Sequence, residues 1–194
     1  ENTIPGITGR RISIESSSKI WNACGLRIGA LLTDNNEFHQ KAVSEYTANL
    51  CANAIGQEIF GALATEPHEK IQNWYKNQRH YYQSILLKLK KDLKKELPGL
   101  IISEPEAALY CIVDFKKIAD SKFDSLKFVE YCAKRGKIKI KDKFYTLLLA
   151  TMDGFYSDSK LGNTQLRIAI VETPEKMLLA PKVLSKLFFD YTQK

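Results

Sequence analysis

Ser16-Ser17-Ser18-Lys19-Ile20-Trp21-Asn22-Ala23-Cys24-Gly25-Leu26-Arg27-Ile28-Gly29 decides how the rest of the 194-residue chain is read. A lysine is ordinarily a solvated surface residue, because its ammonium is almost never buried without a partner. Lys19 has different company: three serines precede it, and Arg27 follows eight residues later between Gly25 and Gly29. The set offers an amine, hydroxyls and a guanidinium to one phosphorylated aldehyde. The amine must be neutral to form a Schiff base, which a partly desolvated, cation-rich setting favours. The phosphate wants a fork-shaped cation and hydroxyl donors. Arg27 can give it two parallel charge-assisted bonds, Ser16 or Ser18 a hydroxyl bond, while Gly25 and Gly29 let backbone approach closely.

Outward from this stretch, residues 11–16 alternate apolar and polar and predict a strand that runs into the serine bend. A second strand is expected over 26–32, so two strands flank Lys19. Asp34 or Asn35 can cap a helix to about Leu50, and a second helix is expected over 53–64. Thr65-Glu66-Pro67 is a start signal, a capping residue with proline in the first turn, for a helix that runs to Leu97 and stops at Pro98-Gly99. Such a helix, about 30 residues and about 45 Å long, exceeds what a small domain needs and predicts a connector. The expected boundary divides the chain into 1–64 and 65–194. Beyond the connector, strands are expected over 100–102, 107–113, 144–150 and 165–171, with an amphipathic helix over 124–134. In the last strand Leu166, Ile168 and Ile170 share one face and leave Arg167 on the other with Gln165 and Ala169. Thr173-Pro174-Glu175 starts a final helix with Leu178, Leu179, Val183, Leu187 and Phe188 as its buried stripe.

Composition excludes several classes. With 44% hydrophobic residues the chain can bury a core, yet no apolar run approaches the roughly 20 residues of a membrane-spanning helix. No membrane is expected. Cys24, Cys51, Cys111 and Cys132, and His39, His68 and His80, are scattered without metal-ligand spacing, so no metal is expected and the thiols read as free in a reducing, cytoplasmic compartment. The net charge of +7 sits mostly on Lys88, Lys90, Lys91, Lys94 and Lys95 and on the alternating Lys137, Lys139, Lys141 and Lys143. Aromatic residues do not interleave with them, so solvated faces are expected and no nucleic acid.

The stretch from Ser16 to Gly29 resembles the cofactor-attachment motif of the class I and II aminotransferases, the aspartate-aminotransferase-like group of fold type I, with lysine, arginine and glycine in register over 14 positions. Pro105-Glu106-Ala107-Ala108-Leu109-Tyr110 is similar to the family's strand entering its small domain. Gly154-Phe155-Tyr156 followed by Leu166-Arg167-Ile168-Ala169 resembles its closing segment, with Met152-Asp153-Gly154 where the family commonly has Pro-Gly. The resemblance implies an α/β fold, the end of a large pyridoxal-phosphate-binding domain (1–64) followed by the connector and an α+β small domain (65–194). It implies Lys19 as Schiff-base lysine and acid–base catalyst, Ser16, Ser18 and Arg27 around the cofactor phosphate, and Arg167 on the substrate α-carboxylate. An exposed strand arginine with no ligand is the ordinary alternative for Arg167.

The activity implied is amino transfer between an amino acid and a 2-oxo acid, in a homodimer. The resemblance covers only the later half of the family's length. The phosphate loop, the ring that stacks on the cofactor, and the aspartate at the pyridine nitrogen would precede Glu1, and the chain opens without Met. A C-terminal fragment is therefore expected, inactive alone. A β-eliminating lyase or synthase of the same fold, and a basic binding module without chemistry, remain open.

Overall fold

The structure, a computed structural model, describes residues 4–49 and 52–193; Leu50 and Cys51 lie outside the described residues. Its contacts group into two compact units, Glu1–Gln72 and Asn73–Lys194. The boundary between the units, at Gln72, falls inside the long helix that begins at His68, three residues after Thr65.

In the first unit, β1 (Ile12–Ser16) leads into the single-turn helix α1 (Ser17–Ile20), and a short 3-10 turn, Cys24–Leu26, precedes β2 (Gly29–Thr33). The strands are antiparallel, in register from Ile12 opposite Thr33 to Ser16 opposite Gly29. The second strand was expected from residue 26 but begins at Gly29, because Leu26 closes the 3-10 turn and Arg27 is left-handed at φ 54°. Helix α2 (Asn36–Ala48) is capped by Asn35, whose Oδ1 accepts from the Phe38 amide at 2.8 Å. Asn53 caps α3 (Ala54–Gly61) in the same way, and its Nδ2 donates to the Leu26 carbonyl at 2.9 Å. Among the described residues of this unit only Ser17 and Gly56 are buried, and Ile14 is 79% exposed.

The long helix α4 (His68–Glu96) buries Ile85, Leu86, Leu89 and Leu93. Of its lysines, Lys88 pairs with Asp92 at 3.1 Å and Lys90 with Glu104. In the second unit a four-stranded antiparallel sheet has the order β3 (Ile101–Ile102), β4 (Tyr110–Asp114), β8, β7, where β7 is Ala150–Thr151 and β8 is Gln165–Ala169. Between β4 and β7 lie helix α5 (Ser125–Lys134), capped by Asp124, and a separate hairpin of β5 (Ile138–Ile140) and β6 (Lys143–Tyr145). Helices α6 (Pro174–Met177) and α7 (Ala180–Thr192) close the chain.

Alternation along the central strands buries Cys111 and Val113 from β4 and Leu166 and Ile168 from β8. They meet Leu89 and Leu93 of α4, Phe128 of α5, and Leu184 and Leu187 of α7 in one core. Phe115, Phe123, Phe128, Phe188 and Tyr191 form its aromatic part, with centroids 5.0 Å apart for Phe115 and Phe188 and 5.3 Å for Phe128 and Tyr191. Each fully buried ring contributes about 1.5–3 kcal/mol by area removed from water, with about 1 kcal/mol more where rings meet at such distances.

Three local expectations need correction. Residues 144–150 are not one strand: the first end pairs with β5 and the last with β8, so the chain must leave one sheet to reach the other. Strand β5 itself was hidden in the alternating lysines, whose intervening Ile138 is buried. The final helix is two helices, since Pro181 has no N–H to offer the Met177 carbonyl.

Candidate cofactor and substrate sites

The excursion from Ser16 to Gly29 is folded onto itself by the serine between the two candidates. Ser17 is buried; its amide and hydroxyl both donate to the Ile28 carbonyl, at 3.0 and 2.8 Å. Its carbonyl accepts from the amides of Trp21 and Ala23, each at 3.2 Å. This draws the start and end of the stretch together. Ser16 sits opposite Gly29 in the ladder, and a Cβ at Gly29 would lie 2.8 Å from the Glu15 carbonyl oxygen, so only glycine permits that approach. Arg27 follows from the same constraint. Its left-handed backbone turns the chain into β2, while Nη1 donates to the Cys24 carbonyl at 2.8 Å.

Ser16, Ser18, Lys19 and Arg27 are thus gathered in one folded stretch of the first unit. Ser16 ends β1 and its Oγ accepts from the Ser18 amide at 3.2 Å, which leaves its hydroxyl proton to donate elsewhere. Lys19 and Arg27 are exposed, and among the described residues no carboxylate pairs with either. Two cations without a carboxylate partner and two serine hydroxyls lie within this one stretch, with Arg27 Nη1 held by the Cys24 carbonyl. A phosphorylated aldehyde is chemically suited to this stretch: the phosphate accepts from Arg27 and the serines, and the aldehyde takes the amine. Trp21, at the end of α1, packs edge-on against Phe60 with ring centroids 5.7 Å apart.

Arg167 belongs to the second unit. On β8 it faces Ile112 of β4 on one side and Ala150 of β7 on the other. Its guanidinium carbon lies 4.7 Å from the Tyr110 ring centroid and 5.0 Å from that of Phe155, a cation held by two aromatic faces. Nε is shut off from solvent and, among the described residues, is the buried side-chain donor that finds no acceptor. An unmet donor of this kind costs about 1–3 kcal/mol, which an anionic oxygen would relieve. In the turn that carries Phe155, the Thr151 hydroxyl beside Asp153 holds that carboxyl below its ordinary range.

The family description "Aminotransferase class I and II" matches residues 4–177. The chain belongs to this family. A curated relative from Aquifex aeolicus, described as a "probable aspartate/prephenate aminotransferase", is 22% identical over 66% of this chain and 32% of its own length. Among solved structures, a kynurenine aminotransferase from Pyrococcus horikoshii superposes with TM-score 0.72 at 20% identity, covering 94% of this chain and 41% of the other. An N-succinyldiaminopimelate aminotransferase from Mycobacterium tuberculosis gives TM-score 0.72 at 18% identity, over 95% of this chain and 44% of the other. This member of the aminotransferase family shares their fold while spanning well under half the length of each. Among the described residues no helix is long and apolar enough to cross a membrane, and no three metal-ligating side chains cluster.

The sequence singled out Lys19, Ser16, Ser18, Arg27 and Arg167, but not the residues that hold them. Ser17 looked like its neighbours. Tyr110 and Phe155 stood in quoted motifs without a partner, although an aromatic residue beside a lone strand arginine is the signal that could have found them.

Proposed function

We propose that this chain is the C-terminal part of a pyridoxal-phosphate-dependent aminotransferase acting between an amino acid and a 2-oxo acid. The observation that carries the reading is the stretch closed by Ser17 on the Ile28 carbonyl, which bears Ser16, Ser18, Lys19 and Arg27, the two cations without a carboxylate partner, within the residues matched to the family. When bound, pyridoxal phosphate supplies the electron sink. Arg27, Ser16 and Ser18 bind and orient its phosphate. Lys19 holds it through Nζ and, once released by the incoming substrate amine, moves a proton to and from the substrate α-carbon. Arg167 binds the α-carboxylate side-on and so fixes the bond to be broken. A homodimer in the cytoplasm fits the family and the free thiols of Cys24, Cys111 and Cys132. The division into a large-domain end over 1–64 and a small domain with its connector over 65–194 belongs to the same proposal.

The chain alone is expected to hold cofactor weakly and to transaminate negligibly. The test is incubation with pyridoxal phosphate, reduction with borohydride, and location of the adduct by peptide mass. Adduct concentrated on Lys19 is the expected result. Arg27→Ala should weaken loading roughly ten- to a hundredfold, the range for losing a charge-assisted bond. Label spread evenly over the lysines, unchanged by Arg27→Ala, would refute a preformed site.

A further inference from the structure

A buried carboxylate in the second unit is tied by a string of side chains to the turn that covers Arg167. Asp114, at the end of β4, is 5% exposed. Its Oδ1 accepts from the Thr164 hydroxyl at 2.7 Å and from the Lys116 amide at 3.0 Å, and Lys116 Nζ stands 3.5 Å from Oδ2. Oδ2 also accepts from Gln165 Nε2 at 3.3 Å. With Asp114 accepting at both oxygens, the Gln165 amide turns Nε2 toward it and leaves Oε1 on the other side. There, Oε1 accepts from the Tyr156 hydroxyl at 2.7 Å. Tyr156 is the next residue after Phe155, whose ring covers one face of the Arg167 guanidinium. Gln165 and Arg167 lie two residues apart on one face of β8, so the string and the clamp share a platform.

We infer that Asp114, Gln165 and Tyr156 form a positioning relay that holds Phe155 over Arg167 and thereby aims the guanidinium. The inference rests on the reading of Arg167 as a carboxylate anchor. Phe155 is itself 60% exposed, so burial does little to keep it in place. Its own turn supplies one short backbone bond, from the Phe155 amide to the Met152 carbonyl at 3.0 Å. The Tyr156 hydroxyl supplies the fixed point. With the ring set, the guanidinium stays against both Tyr110 and Phe155, and a planar fork held in this way loses less freedom when it takes a carboxylate. None of the three relay residues needs to touch substrate.

The experiment uses the 15N-labelled 194-residue chain and the Arg167 Nε–Hε resonance, assigned by its loss in Arg167→Lys, with pyruvate as the carboxylate probe. Two flanking rings shift this resonance by their ring currents, so its position reads the clamp directly. Tyr156→Phe keeps the ring and removes the hydroxyl, and Gln165→Met breaks the string one link earlier. Both should move the Arg167 resonance toward the position of a solvent-exposed arginine and weaken pyruvate binding roughly fivefold, the effect of one ordinary hydrogen bond. An unmoved resonance and unchanged affinity in both variants would overturn the relay. A wild-type resonance that ignores pyruvate would sink the carboxylate reading instead. The relay would then still be supported by a resonance that moves in Tyr156→Phe.

Discussion

Replacing Gly162 by alanine tests the packing beneath the Arg167 clamp. Gly162 is buried at the end of a 3-10 turn, Ser159–Gly162, that rests on the backbone leading to Phe155. An added Cβ would lie 2.4 Å from the Met152 carbonyl carbon and 2.5 Å from both the Met152 oxygen and the Asp153 nitrogen. Ordinary contact begins near 3.4 Å, so backbone must give by about 1 Å, and no flexible side chain can absorb it. Overpacking of this kind costs about 1–3 kcal/mol, and three backbone neighbours put this case in the upper half of that range. In a chain of this size the thermal midpoint should fall by roughly 5–10 °C. Gly154→Ala is the control from the same loop: its Cβ would meet nothing within 4 Å and its φ is not in the left-handed region, so its midpoint should stay within about 2 °C of wild type. Thermal denaturation followed by circular dichroism reads both. Equal midpoints for Gly162→Ala and Gly154→Ala would refute the packing argument.

Phe128→Ala, at the centre of the aromatic cluster, should destabilise the second unit by about 3–5 kcal/mol in urea denaturation, because the ring is wholly buried and four aromatic neighbours cannot all close in. Burial pushes the Cys111 thiol up to about 11 and the Cys132 thiol up to about 12. Both values lie above the ordinary thiol range, so between about pH 9 and the folded values the unfolded chain gives up protons that the folded chain keeps. Stability is therefore unaffected by these groups below that window and falls as pH rises through it. The fall should be smaller in Cys111→Ala/Cys132→Ala, as read by urea midpoints at pH 8 and pH 10.5.

Much of this was legible in the residues, and the exceptions share a cause. Caps are local signals, and Asn35 and Asp124 each start a helix where the side chain accepts from an amide three residues on. Period-two alternation placed Arg167 opposite Leu166 and Ile168 because a strand has only two faces. What failed to show was partnership over distance. The apolar run 144–150 contains no mark of the point where the chain trades β5 for β8. Ser17 differs from Ser16 and Ser18 only through a carbonyl eleven residues on. The Tyr110 and Phe155 rings reach Arg167 from another strand and from a turn, and neither sequence neighbourhood names the other.

The bonds at the neck of the lysine-bearing excursion set a rule for insertions and deletions. Ser17 closes the loop by gripping Ile28 with two groups at once, and the ladder immediately outside it fixes Ser16 against Gly29. A residue added or removed inside would either unhook Ser17 or slide β2 by one step, and a one-step slide turns every side chain of the strand to its other face. The length of the excursion cannot drift without exchanging the two faces of the strand to which Leu31 and Leu32 belong.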